Sequence, residues 1–384
     1  MSNWPERDKC YSLLETLAEH GIPSPGAARI IDVGTSDYMH FFETEILDGV
    51  VKAGHSTCRF YEGPYGAGKT HLLDLIHGKS TERGMITLTV ELSHALQLED
   101  WKGIVRCFLE KAEWHNSGRH ISIPIILREM SQHVEYRSLI EKLPPMPHTG
   151  FRQAMIETIR QPVTNNDKRW PLLESFLKGG KVTVKDFRNA GVQGVREPLS
   201  DRNAEHVLST ILQTLYHLGI PGTILLFDEN EKALSTTGNI PSEHVRKAAN
   251  LIRRLIDACV TGKLHGTVVI FSVLNGFLER AGTAYPALGQ RIEKPHGSSD
   301  DLSWRWPAIP VETVNSAHDD PEQFLSLLIV RLVALAEHIA PGSSLETYVL
   351  QSIGSATIES DASSGVRRKL MKVLAAEVLK QIDK

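Results

Sequence analysis

Cysteine is scarce in this chain. There are four in 384 residues, Cys10, Cys58, Cys107 and Cys259, far apart in sequence and without a C-x-x-C pair. That excludes a disulfide scaffold and a zinc module, and it reads as free thiols in a reducing, cytoplasmic compartment. The 17 histidines are scattered, with no H-x-x-x-H pair, so a structural metal is not expected. An excess of basic charge is also missing. The formal net charge is −4, so contact with nucleic acid requires a local patch or a partner. Long apolar runs are missing too. The most apolar stretch, 324–340, is interrupted by Arg331, Glu337 and His338, which marks a buried helix and no bilayer span. The charged residues 1–8 are followed by no apolar signal core, and no internal repeat is found. What remains is ordinary globular composition, 41% hydrophobic and 23% charged, long enough for a large core or a core with an appended module.

One stretch organises the rest: Gly63-Pro64-Tyr65-Gly66-Ala67-Gly68-Lys69-Thr70, which fits G-x-x-x-x-G-K-[ST]. Glycines let a backbone close around phosphate oxygens with no Cβ in the way, and the freed N–H groups form an anion nest. A helix starting near Lys69 adds the positive end of its dipole. Lys69 then reaches the β- and γ-phosphates, and the Thr70 hydroxyl ligates Mg²⁺. With His71 at the start of the helix, residues 63–71 form the expected binding set for ATP. The flanks agree with the motif, because 58–61 reads as a strand end and 71–76 as a helix with its apolar residues on one side.

A second stretch, Thr223-Ile224-Leu225-Leu226-Phe227-Asp228-Glu229, is a continuous apolar run of the kind found in a strand buried on both faces. It ends in two carboxylates where ligands sit in an open α/β sheet. Beside a phosphate loop, Asp228 is placed to hold the Mg²⁺ shell through water and Glu229 to polarise the attacking water. The run 267–273 is another buried strand. Asn275, or alternatively Ser272, is placed to sit between the γ-phosphate and that water.

The remaining chain supplies alternating strands and helices, hence a parallel sheet with helices on both faces. Helices are expected at 8–20, 38–51, 101–111, 125–134, 151–160, 171–177, 204–218 and 244–260, and a strand at 85–90. The turn at 30–34 and the helix after it are placed to cradle an adenine base, or simply belong to the core. Residues near 120–205 read as a helical insertion and 296–320 as a loop. Residues 311–384 read as a helical C-terminal module after a core spanning 1–310. Arg246, Lys247, Arg253 and Arg254 lie off the apolar stripe of 244–260, where they face DNA, a neighbouring subunit or solvent.

Taken together, these stretches resemble AAA+ ATPases of the origin-recognition type. The resemblance implies that Asn275 is the first sensor and that Arg291, the arginine after the fourth core strand, is a finger reaching a neighbour's γ-phosphate. The apolar helix that starts after Ser364-Gly365 resembles the family's lid, which makes Arg367 the lid sensor, with Arg368 the alternative. The string from Arg59 to Leu73, together with Asp228-Glu229-Asn230-Glu231 and Tyr285 to Arg291, is more closely similar to the BREX ATP-binding proteins, the BrxC/BrxD-like family. That likeness implies an ATPase in a bacterial or archaeal phage-defence system. It would be a homo-oligomer acting with other defence proteins and with duplex DNA, directly or through those partners, and away from membranes. Against this stand a slow ATP-dependent switch, a scaffold whose nucleotide only stabilises the fold, and a DNA loader in segregation or replication. No helix-turn-helix follows the lid.

Overall fold

The structure is a computed structural model. It describes residues 4–24, 26–93, 95–114, 121–164, 167–228, 243–293, 304–317, 320–343, 345–360 and 365–383. Five strands, β1 (Thr57–Glu62), β2 (Ile86–Glu91), β3 (Thr223–Asp228), β4 (Thr267–Val273) and β5 (Ala308–Pro310), form one sheet in the order β2-β3-β4-β1-β5. β3 and β4 are buried at every residue, as their unbroken apolar sequences require. β2 pairs with β3 in parallel, Ile86 opposite Thr223, and β3 pairs with β4 in parallel, Thr223 opposite Thr267. Such parallel neighbours need long crossovers, which the intervening helices supply.

By its packing the chain divides into two compact units. The larger comprises 44–60 and 79–295. It holds β2, β3, β4 and helices α5 (Trp101–Lys111), α6 (Ile123–Ser131), α7 (Val134–Ile140), α8 (Thr149–Ile159), α9 (Trp170–Leu177), α10 (Val184–Asn189), α11 (Ala204–His217), α12 (Glu243–Val260), α13 (Phe277–Ala284) and α14 (Pro286–Ile292). The stretch expected to be helical between β2 and β3 is therefore helical. One helix expected at 125–134 is two, because His133 is extended (φ −101°, ψ 129°) and breaks the run. α10 lies in a segment too polar to show periodicity. A capping box defines it, in which the Thr183 hydroxyl accepts from the Asp186 N–H while the Asp186 carboxylate accepts from the Thr183 N–H.

The other unit comprises 1–43, 61–78 and 296–384. It contains α1 (Arg7–His20), α2 (Ala28–Ile31), α3 (Ser36–Phe41), most of α4 (Lys69–Glu82), and the C-terminal helices α15 (Pro321–Ile339), α16 (Thr347–Ser360) and α17 (Val366–Ile382). Its core closes the apolar faces of α15, α16 and α17 on α1 and α2, through Leu13, Leu17, Ile31, Leu328, Leu332, Leu370 and Leu374. The expected loop at 296–320 contains β5 and a 3₁₀ turn, Val311–Val314. β5 is only three residues long and ends in proline, which leaves no alternation to read. α3 continues into a π-helical stretch, Phe42–Val51, where a single helix was expected. Among the described residues, no helix is long and apolar enough to cross a membrane.

Candidate nucleotide site

The loop after β1 has the backbone its glycines permit. Gly66 and Gly68 have φ of 82° and 92°, the left-handed region that L side chains avoid. Among the described residues, a Cβ at Gly68 would meet no atom within 4 Å, so the backbone conformation sets the requirement there. Gly63 is closely packed, since a Cβ there would lie 3.2 Å from the Ala67 Cβ and 3.3 Å from the Val311 Cβ, tighter than ordinary contact. The Ala67 N–H closes the turn on the Pro64 carbonyl at 3.3 Å. Among the described residues, the N–H groups of Gly66 and Gly68 donate to no backbone carbonyl.

α4 starts at Lys69, so its first-turn N–H groups and dipole open onto the loop. The Lys69 side chain is 8% exposed, and its Nζ donates to the carbonyls of Gly63 and Pro64, each at 2.9 Å. The ammonium is thus held over the loop by oxygen acceptors. Thr70 is exposed on the first turn, and Tyr65 is exposed at the tip of the loop. This donor set fits a triphosphate: backbone N–H groups, one desolvated ammonium and an exposed hydroxyl of the type that ligates a cation. His71 takes a different direction. Its Nε2 lies 3.3 Å from Asp32 Oδ1, and Asp32 also accepts from the Thr35 hydroxyl at 2.8 Å. Beside the exit of β1, the buried hydroxyls of Tyr38 and Tyr61 are hydrogen-bonded to each other, and Trp304 packs edge-on to Tyr38.

In the larger unit, Asp228 ends β3 at 5% exposure. The Ser272 hydroxyl at the end of β4 donates to its Oδ1, and the Leu92 N–H donates to its carbonyl at 3.1 Å. A buried carboxylate is costly unless its oxygens are engaged, and Ser272 fixes one of them. Asn275 is exposed in the turn after β4. Glu229 and Glu231 lie outside the described residues, as does Ser364.

Arg291 sits on α14 with its guanidinium on Asp257 of α12. Nε bonds Oδ1 at 2.5 Å, Nη2 bonds Oδ2 at 3.3 Å, and Nη1 bonds the Ala287 carbonyl. Arg253 Nη1 shares the same carboxylate at 3.0 Å. Lys247 pairs with Glu243 at 2.8 Å and Arg254 with Glu205. Three of the four cations noted on this helix therefore carry acidic partners within the unit. In the smaller unit, Arg367 donates to the Ala317 carbonyl at 3.0 Å and lies 5.1 Å over the Phe324 ring, while Arg368 donates to the His20 carbonyl at 2.9 Å. All four cysteines are free thiols. Burial pushes the Cys259 thiol up to about 12 and also raises Cys58, so both stay protonated.

Sequence reasoning missed Asp32, Asp257 and Asp74, which the structure places on His71, on Arg291 and on the N–H groups of Gly26 and Ala28. Only Asp257 left a trace, since it stands four residues after Arg253 on a helix. Comparison with curated proteins and with solved structures finds no match. The sequence model described as BREX system ATP-binding protein BrxC/D matches residues 6–165 and 128–318, stretches that hold both the phosphate loop and Asp228. The chain belongs to the family of BREX system ATP-binding proteins BrxC/D.

Proposed function

We propose that this protein is an ATP-hydrolysing AAA+ member of a multi-protein phage-defence system, coupling ATP binding and turnover to its own assembly on or near DNA. Family membership implies the ATP-binding role in defence. The observation that carries the hydrolysis reading is the buried Asp228 at the end of β3, its carboxylate oriented by Ser272, in a chain that also holds a formed phosphate loop. In this reading, residues 63–71 hold the nucleotide and Lys69 leaves its loop carbonyls for the β- and γ-phosphate oxygens. Thr70 and Asp228 would hold Mg²⁺, which when bound neutralises charge on those oxygens. Glu229 takes the proton of the attacking water. Asn275 and Arg367 sense the γ-phosphate, α15–α17 act as a lid, and Arg291 serves the nucleotide of a neighbouring subunit in a cytoplasmic homo-oligomer.

The Arg291–Asp257 ion pair favours a second feature of this reading, slow turnover in the isolated chain, because the finger is engaged within its own subunit. Phosphate release measured across a protein-concentration series, with and without duplex DNA, tests the proposal. Specific activity is expected to rise with concentration and to rise further with DNA. A specific activity that is flat in both would leave a monomeric switch in place of an assembling ATPase.

A further inference from the structure

α2 is a helix of four residues, Ala28–Ile31, too short to persist by its own hydrogen bonds. Its N-cap, Ala27, offers no side-chain acceptor. The acceptor comes instead from the helix that carries the phosphate loop. The Asp74 carboxylate of α4 takes the N–H of Gly26 at 2.9 and 3.1 Å and that of Ala28 at 3.1 Å. One turn earlier on α4, His71 reaches Asp32, the residue just after α2. The other end of α2 is held from the C-terminal helices. Arg331 of α15 donates Nε to the Ile30 carbonyl at 2.6 Å and Nη2 to the Arg29 carbonyl at 2.7 Å. Asn315 donates to the Val33 carbonyl at 2.8 Å, and the Ser316 N–H to the Gly34 carbonyl at 2.8 Å. All of these residues belong to the smaller unit.

A carboxylate thus caps the positive end of α2 and a guanidinium its negative end, the arrangement that the dipole of even one helical turn favours. Each supplies charge-assisted hydrogen bonds to backbone groups that α2 cannot satisfy internally. We infer that Asp74 and Arg331 are positioning residues for the ATP site, acting through α2 as a strut between the phosphate-loop helix and α15. Lys69, Thr70, His71 and Asp74 all lie in the first two turns of α4, with Thr70 and Asp74 four residues apart on one face, so binding ATP orders one end of the strut and the C-terminal helices feel it at the other. This inference rests on ATP binding at residues 63–71 and adds the route by which that binding reaches residues 321–382.

The test uses full-length protein, with affinity for ATP in Mg²⁺ measured by calorimetry and amide hydrogen exchange measured with and without ATP. The variants are Asp74→Ala, Arg331→Gln and the double substitution, with Arg331→Lys, which keeps the charge without the two-pronged donor, as a milder change. Each single loss is expected to weaken ATP by about tenfold, the scale of a charge-assisted hydrogen bond. The double variant is expected to be no weaker than the worse single, because both act on one strut. ATP-induced protection of 321–382 should be present in wild type, reduced in Arg331→Lys and lost in the other variants. Wild-type affinity in Arg331→Gln or Arg331→Lys, or losses that multiply in the double variant while protection of 321–382 persists, would overturn the inference. Absence of ATP binding by the wild type would instead bring down the reading of the phosphate loop itself.

Discussion

Lys69→Ala is expected to weaken ATP binding by about a hundredfold, the upper end of what a hydrogen-bonded charge contributes. The reason lies in where the ammonium stands. It is 8% exposed and already desolvated, with two carbonyl oxygens at 2.9 Å defining its place over the loop. Exchanging those carbonyls for phosphate oxygens costs little reorganisation and gains a full opposite charge. Without the ammonium, the N–H groups of the loop face the triphosphate alone. The same substitution removes the donor from the Gly63 and Pro64 carbonyls, so a modest loss of stability, about 1–3 kcal/mol, accompanies it. Lys69→Arg is not expected to rescue binding, since a planar fork cannot replace a point charge in so close a loop. Calorimetric titration with ATP, beside a thermal melt of the same preparations, separates the two effects. A variant that stays folded and binds ATP as wild type does would remove Lys69 from the site.

The second large effect is on turnover. Arg291→Ala is expected to lower phosphate release by at least a thousandfold while leaving ATP affinity unchanged, since fingers of this kind contribute roughly 10³–10⁵ in rate. In the proposed role, its pairing with Asp257 keeps such a residue poised. Its guanidinium is about one-third exposed and rests on Asp257, so the ion pair is partly screened and a neighbour's γ-phosphate can compete for it. Arg253 already shares the carboxylate, so release of Arg291 leaves Asp257 paired and the fold undisturbed. Steady-state turnover at saturating ATP, measured at the highest protein concentration, reads the effect. Unchanged turnover would remove the trans role and leave Arg291 as a strut between α14 and α12.

The parts of this structure legible in the sequence are those in which one local requirement dominates. The phosphate loop was legible because Gly66 and Gly68 adopt conformations open to few other residues. β3 and β4 were legible because burial on both faces writes itself as an unbroken apolar run. The order of these strands in the sheet was not, because it depends on crossovers whose direction no single stretch records. The partners of the charged residues were equally hidden. Nothing near Arg291 announces Asp257, 34 residues away, and nothing in 321–339 shows that Arg331 caps a helix formed 301 residues earlier. The sharing of one core by α1 and the C-terminal helices was hidden for the same reason, since amphipathic helices declare a buried face and not its partner. At the end of β4, Ser272 and Asn275 are both polar and three residues apart. Only the fold shows that Ser272 lies on Asp228 while Asn275 stands in the exposed turn.

The claim at the centre of this account is that the chain hydrolyses the ATP its family binds. The most direct measurement is phosphate release by wild type and Glu229→Gln at equal ATP occupancy, at a protein concentration high enough for assembly and with duplex DNA present. The account predicts steady release by the wild type and, from Glu229→Gln, undiminished ATP binding with release reduced by at least about a hundredfold, the loss of a general base. ATP bound equally by both proteins, with negligible release from either, would contradict it and leave an ATP-dependent switch.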